Sequence, residues 1–277
     1  FKNMIIGVDA GALSIRDERL KVGVYRVTRN LLSEFSKIDT KSEYRLYSFI
    51  PLGRDSMGFF GPNMKSVVVR PAIGWSQIQL PLELRIHPVD VFLGLSQMLP
   101  HTTAKKIGFI YDMGFLHYPD AYPGSLNRLK KQTKQLTERA DHIVSISKTT
   151  KTDVQDYYKI PKNIITVAYP GIDTRFTVSG NTHRSQYPYF LFVGALKRGK
   201  NIPFILKGFA EFLKKIKKQY NVLLVGGDYW LDPKINQTIH DLQLNDRVQL
   251  SGYISDKSLP DYYRGAVALV VPSLWEG

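Results

Sequence analysis

Lys197, Arg198 and Lys200 fall within four residues in the run Gly194-Ala195-Leu196-Lys197-Arg198-Gly199-Lys200-Asn201, between a strand-like apolar stretch and a helix-like one. A strand end, a glycine, a helix N-terminus and fixed cations together suit a diphosphate, because free backbone N–H groups and the helix dipole favour negative charge there. On this segment alone a solvated basic loop is the alternative. Gly226-Gly227-Asp228 and Ser251-Gly252-Tyr253 close the next two strand-like runs, and their small residues leave room for a nucleotide. Glu276 follows the apolar run Val267–Val271 and Pro272-Ser273. An ionised Glu accepts two or more hydrogen bonds and could grip hydroxyl groups; equally, it could complement a helix dipole. Four consecutive strand ends thus point to one crevice, beyond the carboxyl ends of a parallel sheet, where such folds bind ligands.

The first half offers weaker candidates. Tyr111-Asp112 and His117 follow a strand on the edge expected to face that crevice. No second His or carboxylate accompanies His117 at metal-ligand spacing, so no metal site is predicted and a surface or packing histidine is the simpler reading. Asp112 could cap the following loop. Gly23 opens a helix and could present backbone N–H groups to a phosphate, although a turn glycine explains it too. Ser147 is read as an N-cap and not as a nucleophile, since no Gly-x-Ser-x-Gly elbow surrounds it. Gly7-Val8-Asp9-Ala10-Gly11 carries neither the Gly-x-Gly-x-x-Gly of a dinucleotide fold nor the Gly-Lys-Ser/Thr of a phosphate-binding loop.

These residues sit on alternating strand-like and helix-like segments, the pattern of a doubly wound α/β fold. Strands are predicted at 4–9, 44–50, 66–70, 89–93, 106–111, 142–146 and 164–168, then at 189–193, 221–225, 247–250 and 267–271. Helices are predicted from Gly23, with Val24, Val27, Leu31 and Phe35 on one face, and at 125–140, 201–218, 232–242 and 256–265. Pro170-Gly171-Ile172-Asp173 and the polar, aperiodic stretch 174–188 mark a boundary. The expected domains are 1–172 and 189–277, joined by a linker at 173–188. The unalternating run Val267–Val271 reads as a strand buried on both faces. With nothing after it to cover its far side, the second domain is expected to be incomplete at Gly277.

Composition narrows the classes. Hydrophobic content of 43% and charged content of 22% are those of a globular protein. No apolar stretch is long enough to span a bilayer and no signal peptide is read. With no cysteine, disulfides, thiol nucleophiles and thiolate metal sites are excluded. The net charge of +14 is spread over both halves and favours anionic partners. In the segment 125–140 the apolar face of Leu126, Leu129, Leu136 and Ala140 is flanked by Arg128, Lys130, Lys131, Lys134 and Arg139. It reads either as a membrane-surface helix or as an ordinary helix packed on the sheet. Nucleic-acid binding is disfavoured, because aromatics do not interleave with the basic residues.

Several blocks, in order along nearly the whole chain, resemble family-4 glycosyltransferases. They are Gly23-Val24-Tyr25-Arg26 before Asn30-Leu31-Leu32; Trp75-Ser76-Gln77 with Leu80-Pro81; Ala140 to Ser147; Tyr169-Pro170-Gly171-Ile172-Asp173; Val193-Gly194 with Lys200-Asn201; Leu250 to Tyr253; and Pro272 to Gly277. The resemblance implies a GT-B fold, two Rossmann-like domains facing across a cleft. It also implies retaining transfer of a sugar from a nucleoside-diphosphate donor to a glycan or lipid-linked acceptor without a metal or other cofactor. By the match, Gly23 offers backbone N–H to the diphosphate, Lys200 neutralises it, Tyr253 lies beside the base, and Glu276 is the first Glu of the Glu-x7-Glu motif that holds the sugar. The blocks look most like mannosyltransferase-type members, with GDP-mannose as the first donor guess. The expected setting is cytoplasmic, and the net charge of +14 with the basic helix at 125–140 suggests a peripheral place at the inner face of an anionic membrane. Two departures stand out: Gly199-Lys200-Asn201 replaces the usual Arg-Lys-Asn, with Arg198 one place early, and Tyr111-Asp112 replaces His-Asp. A nucleotide-sugar epimerase of similar build and a non-catalytic nucleotide-sugar-binding protein are the rival readings.

Overall fold

The computed structural model describes residues 3–17, 20–21, 23–53, 57–227 and 231–277. The chain packs into two units: Phe1–Leu116 with Gly124–Pro170 and Gly277, and His117–Pro123 with Gly171–Glu276.

In the first unit β1 (Ile5–Asp9), β2 (Glu43–Ser48), β3 (Met64–Val68), β4 (Val91–Gly94), β5 (Lys105–Ile110), β6 (His142–Ser145) and β7 (Ile165–Val167) form one sheet in the order β3-β2-β1-β4-β5-β6-β7. Every pairing is parallel. This is the Rossmann order extended by one strand, and its direction reverses between β1 and β4. The register sets Val8 opposite Leu46 on one side and Leu93 on the other, and all three are buried. Helix Gly23–Ile38 closes one face by inserting Tyr25 and Leu32 into that cluster.

Helix Leu126–Arg139 settles the ambiguity left by its sequence. Thr133, Leu136 and Thr137 are buried, and Gln97 Nε2 donates to Thr133 Oγ1 at 2.6 Å. The helix comes so close that a Cβ on Gly108 of β5 would lie 2.7 Å from Leu136, an approach that a strand glycine permits. The inward face is therefore spent on the sheet and is not available to a bilayer, while Arg128, Lys130, Lys131 and Lys134 remain exposed.

In the second unit β8 (Tyr189–Val193), β9 (Asn221–Val225), β10 (Val248–Gly252) and β11 (Ala268–Leu269) form a parallel sheet in the order β10-β9-β8-β11. Alternate residues of β8 and β9 feed two cores. Phe192, Val222 and Leu224 pack with Ile202, Leu206 and Phe209 of helix Ile202–Lys215 and with Ile235 of helix Lys234–Asp241. Tyr189, Leu191, Leu223 and Val225 pack with Leu259 of helix Leu259–Gly265. That helix starts three residues later than predicted, because Ser255 folds 255–258 into a turn that accepts from Ser258 N and Leu259 N.

One expectation is overturned. The run Val267–Val271 is not buried on both faces: its ladder is limited to Ala268–Leu269, and Val267, Leu269 and Val271 are 55%, 46% and 60% exposed. The reason is position, since β11 is the sheet edge and pairs with β8 alone among the described residues. No helix among the described residues is long and apolar enough to cross a membrane.

Candidate functional site

The strand order of the second unit reverses between β8 and β11, and at such a point the loops leaving two neighbouring strands part and open a crevice. One of these loops is 194–201. Leu196, 2% exposed, anchors it in the core, its carbonyl accepts from Asp232 N at 2.8 Å, and Arg198–Lys200 close a 3-10 turn. Asn201, with φ 53°, turns the chain into helix Ile202–Lys215. The other loop is 272–276. Leu274 N donates to Gly199 O at 3.0 Å, and Asn201 Nδ2 donates to Pro272 O at 3.3 Å. The two loops are thus laced together, and across them Lys200 Nζ is hydrogen-bonded and ion-paired to Glu276 Oε1. Gly226 completes the edge: a Cβ there would overlap the carbonyl of Gly194.

Electrostatics and unmet valence mark the same spot. Burial pushes the Glu276 carboxyl up, but the hydrogen bond from Lys200 and the charges of Lys200 and Lys197 outweigh it and hold the group below the usual carboxylate range. Trp275 Nε1 and Ser251 Oγ are buried without a hydrogen-bond partner among the described residues, a condition that native proteins keep for few groups. Tyr253, just beyond β10, is 38% exposed. Asp228 lies outside the described residues.

His117, read as a surface or packing histidine, belongs to this unit. Its ring stacks on Trp275 with centroids 3.7 Å apart and planes inclined at 14°. Arg198 Nη1 donates to the carbonyl of Asp120 at 3.3 Å, and Lys197 Nζ lies 5.6 Å from the Tyr122 ring centre. Residues 117–123 therefore frame the cation loop, an association that sequence reasoning missed.

The other candidates lie in the first unit. Gly23 begins helix Gly23–Ile38, and a Cβ there would meet nothing within 4 Å among the described residues. Tyr111 donates its hydroxyl to Leu95 O at 2.6 Å, and burial pushes its phenol up. Asp112 Oδ1 accepts from Gly114 N at 2.9 Å, the capping role weighed for it. Ser147 N-caps helix Lys148–Tyr158 by accepting from Thr150 N at 3.0 Å.

A further group was not singled out. Asp9, 2% exposed at the end of β1, accepts from Gly11 N at 3.1 Å and from Ser96 Oγ beyond β4. Burial pushes its carboxyl up against those bonds. It bridges the switch point of the first sheet as Glu276 and Lys200 bridge that of the second. Its signal in the sequence was an acid closing the apolar run Ile5-Ile6-Gly7-Val8.

Two Rossmann-like units in one chain are the architecture of the GT-B glycosyltransferases. The family comparisons agree: the model described as Glycosyltransferase Family 4 matches residues 87–176, and that described as Glycosyl transferases group 1 matches residues 173–277. Together the two models run over residues 87–277, and the chain belongs with the glycosyltransferases that they describe. It is 28% identical over 169 residues to the O-antigen chain mannosyltransferase RfbU of Salmonella typhimurium strain LT2, covering 61% of this chain and 45% of that protein. To the O-antigen chain mannosyltransferase B of Escherichia coli it is 21% identical over 206 residues, covering 70% of this chain and 54% of that one. It thus spans about half the length of these relatives. Among solved structures, sucrose-phosphate synthase from Thermosynechococcus elongatus has a TM-score of 0.72 at 16% identity, over 99% of this chain and 76% of that one. Anabaena HepE in complex with UDP and glucose has 0.64 at 13%, over 98% and 74%. At these identities the likeness concerns the fold.

Proposed function

We propose that this chain forms part of a retaining glycosyltransferase that moves a sugar, with mannose from GDP-mannose as the first choice, to a glycan or lipid-linked acceptor. The observation that supports this reading is the second unit's switch point, where a loop with three cations holds the carboxylate of the neighbouring loop in an ion pair. As the glycosidic bond breaks, negative charge builds on the leaving diphosphate. Lys200, Arg198 and the N-terminus of helix Ile202–Lys215 stabilise it in place of a metal ion. Glu276, kept ionised, accepts hydrogen bonds from the sugar hydroxyls. Two O-antigen chain mannosyltransferases among the relatives support the choice of mannose and of a polysaccharide acceptor. The exposed basic residues of helix Leu126–Arg139 suit a peripheral position at an anionic membrane on the cytoplasmic side, without insertion.

The test is turnover by the full-length protein of GDP-mannose against UDP- and ADP-sugars, with the anomeric configuration of the product read by NMR. Lys200→Ala is expected to lower turnover about 100-fold or more. Absence of hydrolysis or transfer with every donor, together with nucleotide affinity insensitive to Lys200→Ala, would sink the reading.

A further inference from the structure

Resting on the nucleotide-sugar reading above, we propose that Asp120, Ala121 and Tyr122 are positioning residues for the donor diphosphate, holding the cation loop 197–200 in the shape that receives it. Three consecutive residues of one segment meet three of the other. Arg198 donates to the carbonyl of Asp120 at 3.3 Å, a Cβ on Gly199 would lie 3.7 Å from that of Ala121, and Lys197 lies 5.6 Å from the ring centre of Tyr122. At its other end the segment is pinned by the stack of His117 on Trp275, the neighbour of Glu276.

The chemistry of these partners is what assigns the role. Arg198 and Lys197 are met by a carbonyl oxygen and a ring face, which orient a cation without cancelling its charge. A guanidinium has five N–H donors, and a single carbonyl leaves most of them for phosphate oxygens. A Cβ at 199, where the family pattern leads one to expect arginine, would stand in ordinary van der Waals contact with Ala121, so the segment lies directly against that position.

The chain contains no cysteine, and 3.7 Å between the Cβ positions of 121 and 199 lies within the roughly 3.5–4.5 Å that a disulfide needs. In the full-length protein carrying Ala121→Cys and Gly199→Cys, oxidation is expected to form the cross-link. The Kd of GDP, or of UDP if GDP does not bind, should then stay within about twofold of the reduced form. Tyr122→Leu should raise that Kd about two- to fivefold, and Tyr122→Phe, which keeps a ring face, should restore it. Failure to cross-link, loss of nucleotide binding on cross-linking, or wild-type affinity in Tyr122→Leu overturns the proposal. If Tyr122→Leu does not fold, the cross-link decides alone. Lys200→Ala separates the two ideas. Affinity insensitive to it removes the nucleotide-sugar reading itself, whereas a loss there beside an unaffected Tyr122→Leu removes only the positioning role.

Discussion

The ammonium of Lys200 is ion-paired with the carboxylate of Glu276 across the switch point of the second sheet. On the function proposed above, two groups that would serve opposite ends of a nucleotide sugar neutralise each other, and a diphosphate that takes Lys200 would have to displace an anion already there.

A counterintuitive outcome follows for Glu276→Gln. It should lose sugar transfer yet bind free GDP or UDP about two- to fivefold more tightly, because a partly exposed ion pair is worth ~0.5–1 kcal/mol. Isothermal titration with the nucleoside diphosphate alone measures this. Unchanged or weaker binding would show that the pair does not compete with the phosphate.

Asp9 sets a pH dependence. Its carboxyl is raised by burial, so the fold disfavours the charged form more than the unfolded chain does. The stability it allows is full below the ordinary carboxylate range and declines as pH rises through that range toward the raised value. Asp9→Asn should therefore raise the thermal midpoint at neutral pH, and the gain should vanish below about pH 4. A gain that is the same at both pH values would refute this account.

Leu136 fills the contact that Gly108 opens. Leu136→Ala should cost about 2–5 kcal/mol in urea unfolding, the usual range for truncating a leucine that is fully buried. A cost below about 1 kcal/mol would mean that the helix settles into the gap.

Ser147 offers a smaller, local test. Removing its hydroxyl with Ser147→Ala should cost about 1 kcal/mol of stability, the usual worth of an N-cap. Nucleotide affinity should not change. A larger effect on binding than on stability would return Ser147 to the candidates for chemistry.

Much of the scaffold was legible in the sequence because parallel strands buried on both faces read as apolar runs, as Tyr189–Val193 and Asn221–Val225 do within the bounds predicted. The convergence of Lys200 and Glu276 was legible because each lies on the loop that leaves an apolar run, Lys200 after Tyr189–Val193 and Glu276 after Val267–Val271. Burial of the last run was not, because an apolar pattern does not reveal whether a strand lies at the edge of its sheet. Of the segment 117–123 only His117 was singled out; the contacts of Asp120, Ala121 and Tyr122 left no trace. The segment's partners Arg198 and Trp275 are 78 and 158 residues away, and a carbonyl acceptor such as that of Asp120 is present in every residue type. Asp9 was visible as a charge ending an apolar run, but its bond to Ser96 depends on β1 and β4 being neighbours, which strand order alone decides.

The position of β11 has a consequence for handling the protein. Its ladder is only two residues long, so an extended chain finds little backbone to pair with there, and what the strand presents is the stripe of half-exposed side chains of Val267, Leu269 and Val271. Contact between such stripes is opposed by the net charge of +14, so that raising the salt concentration should promote association.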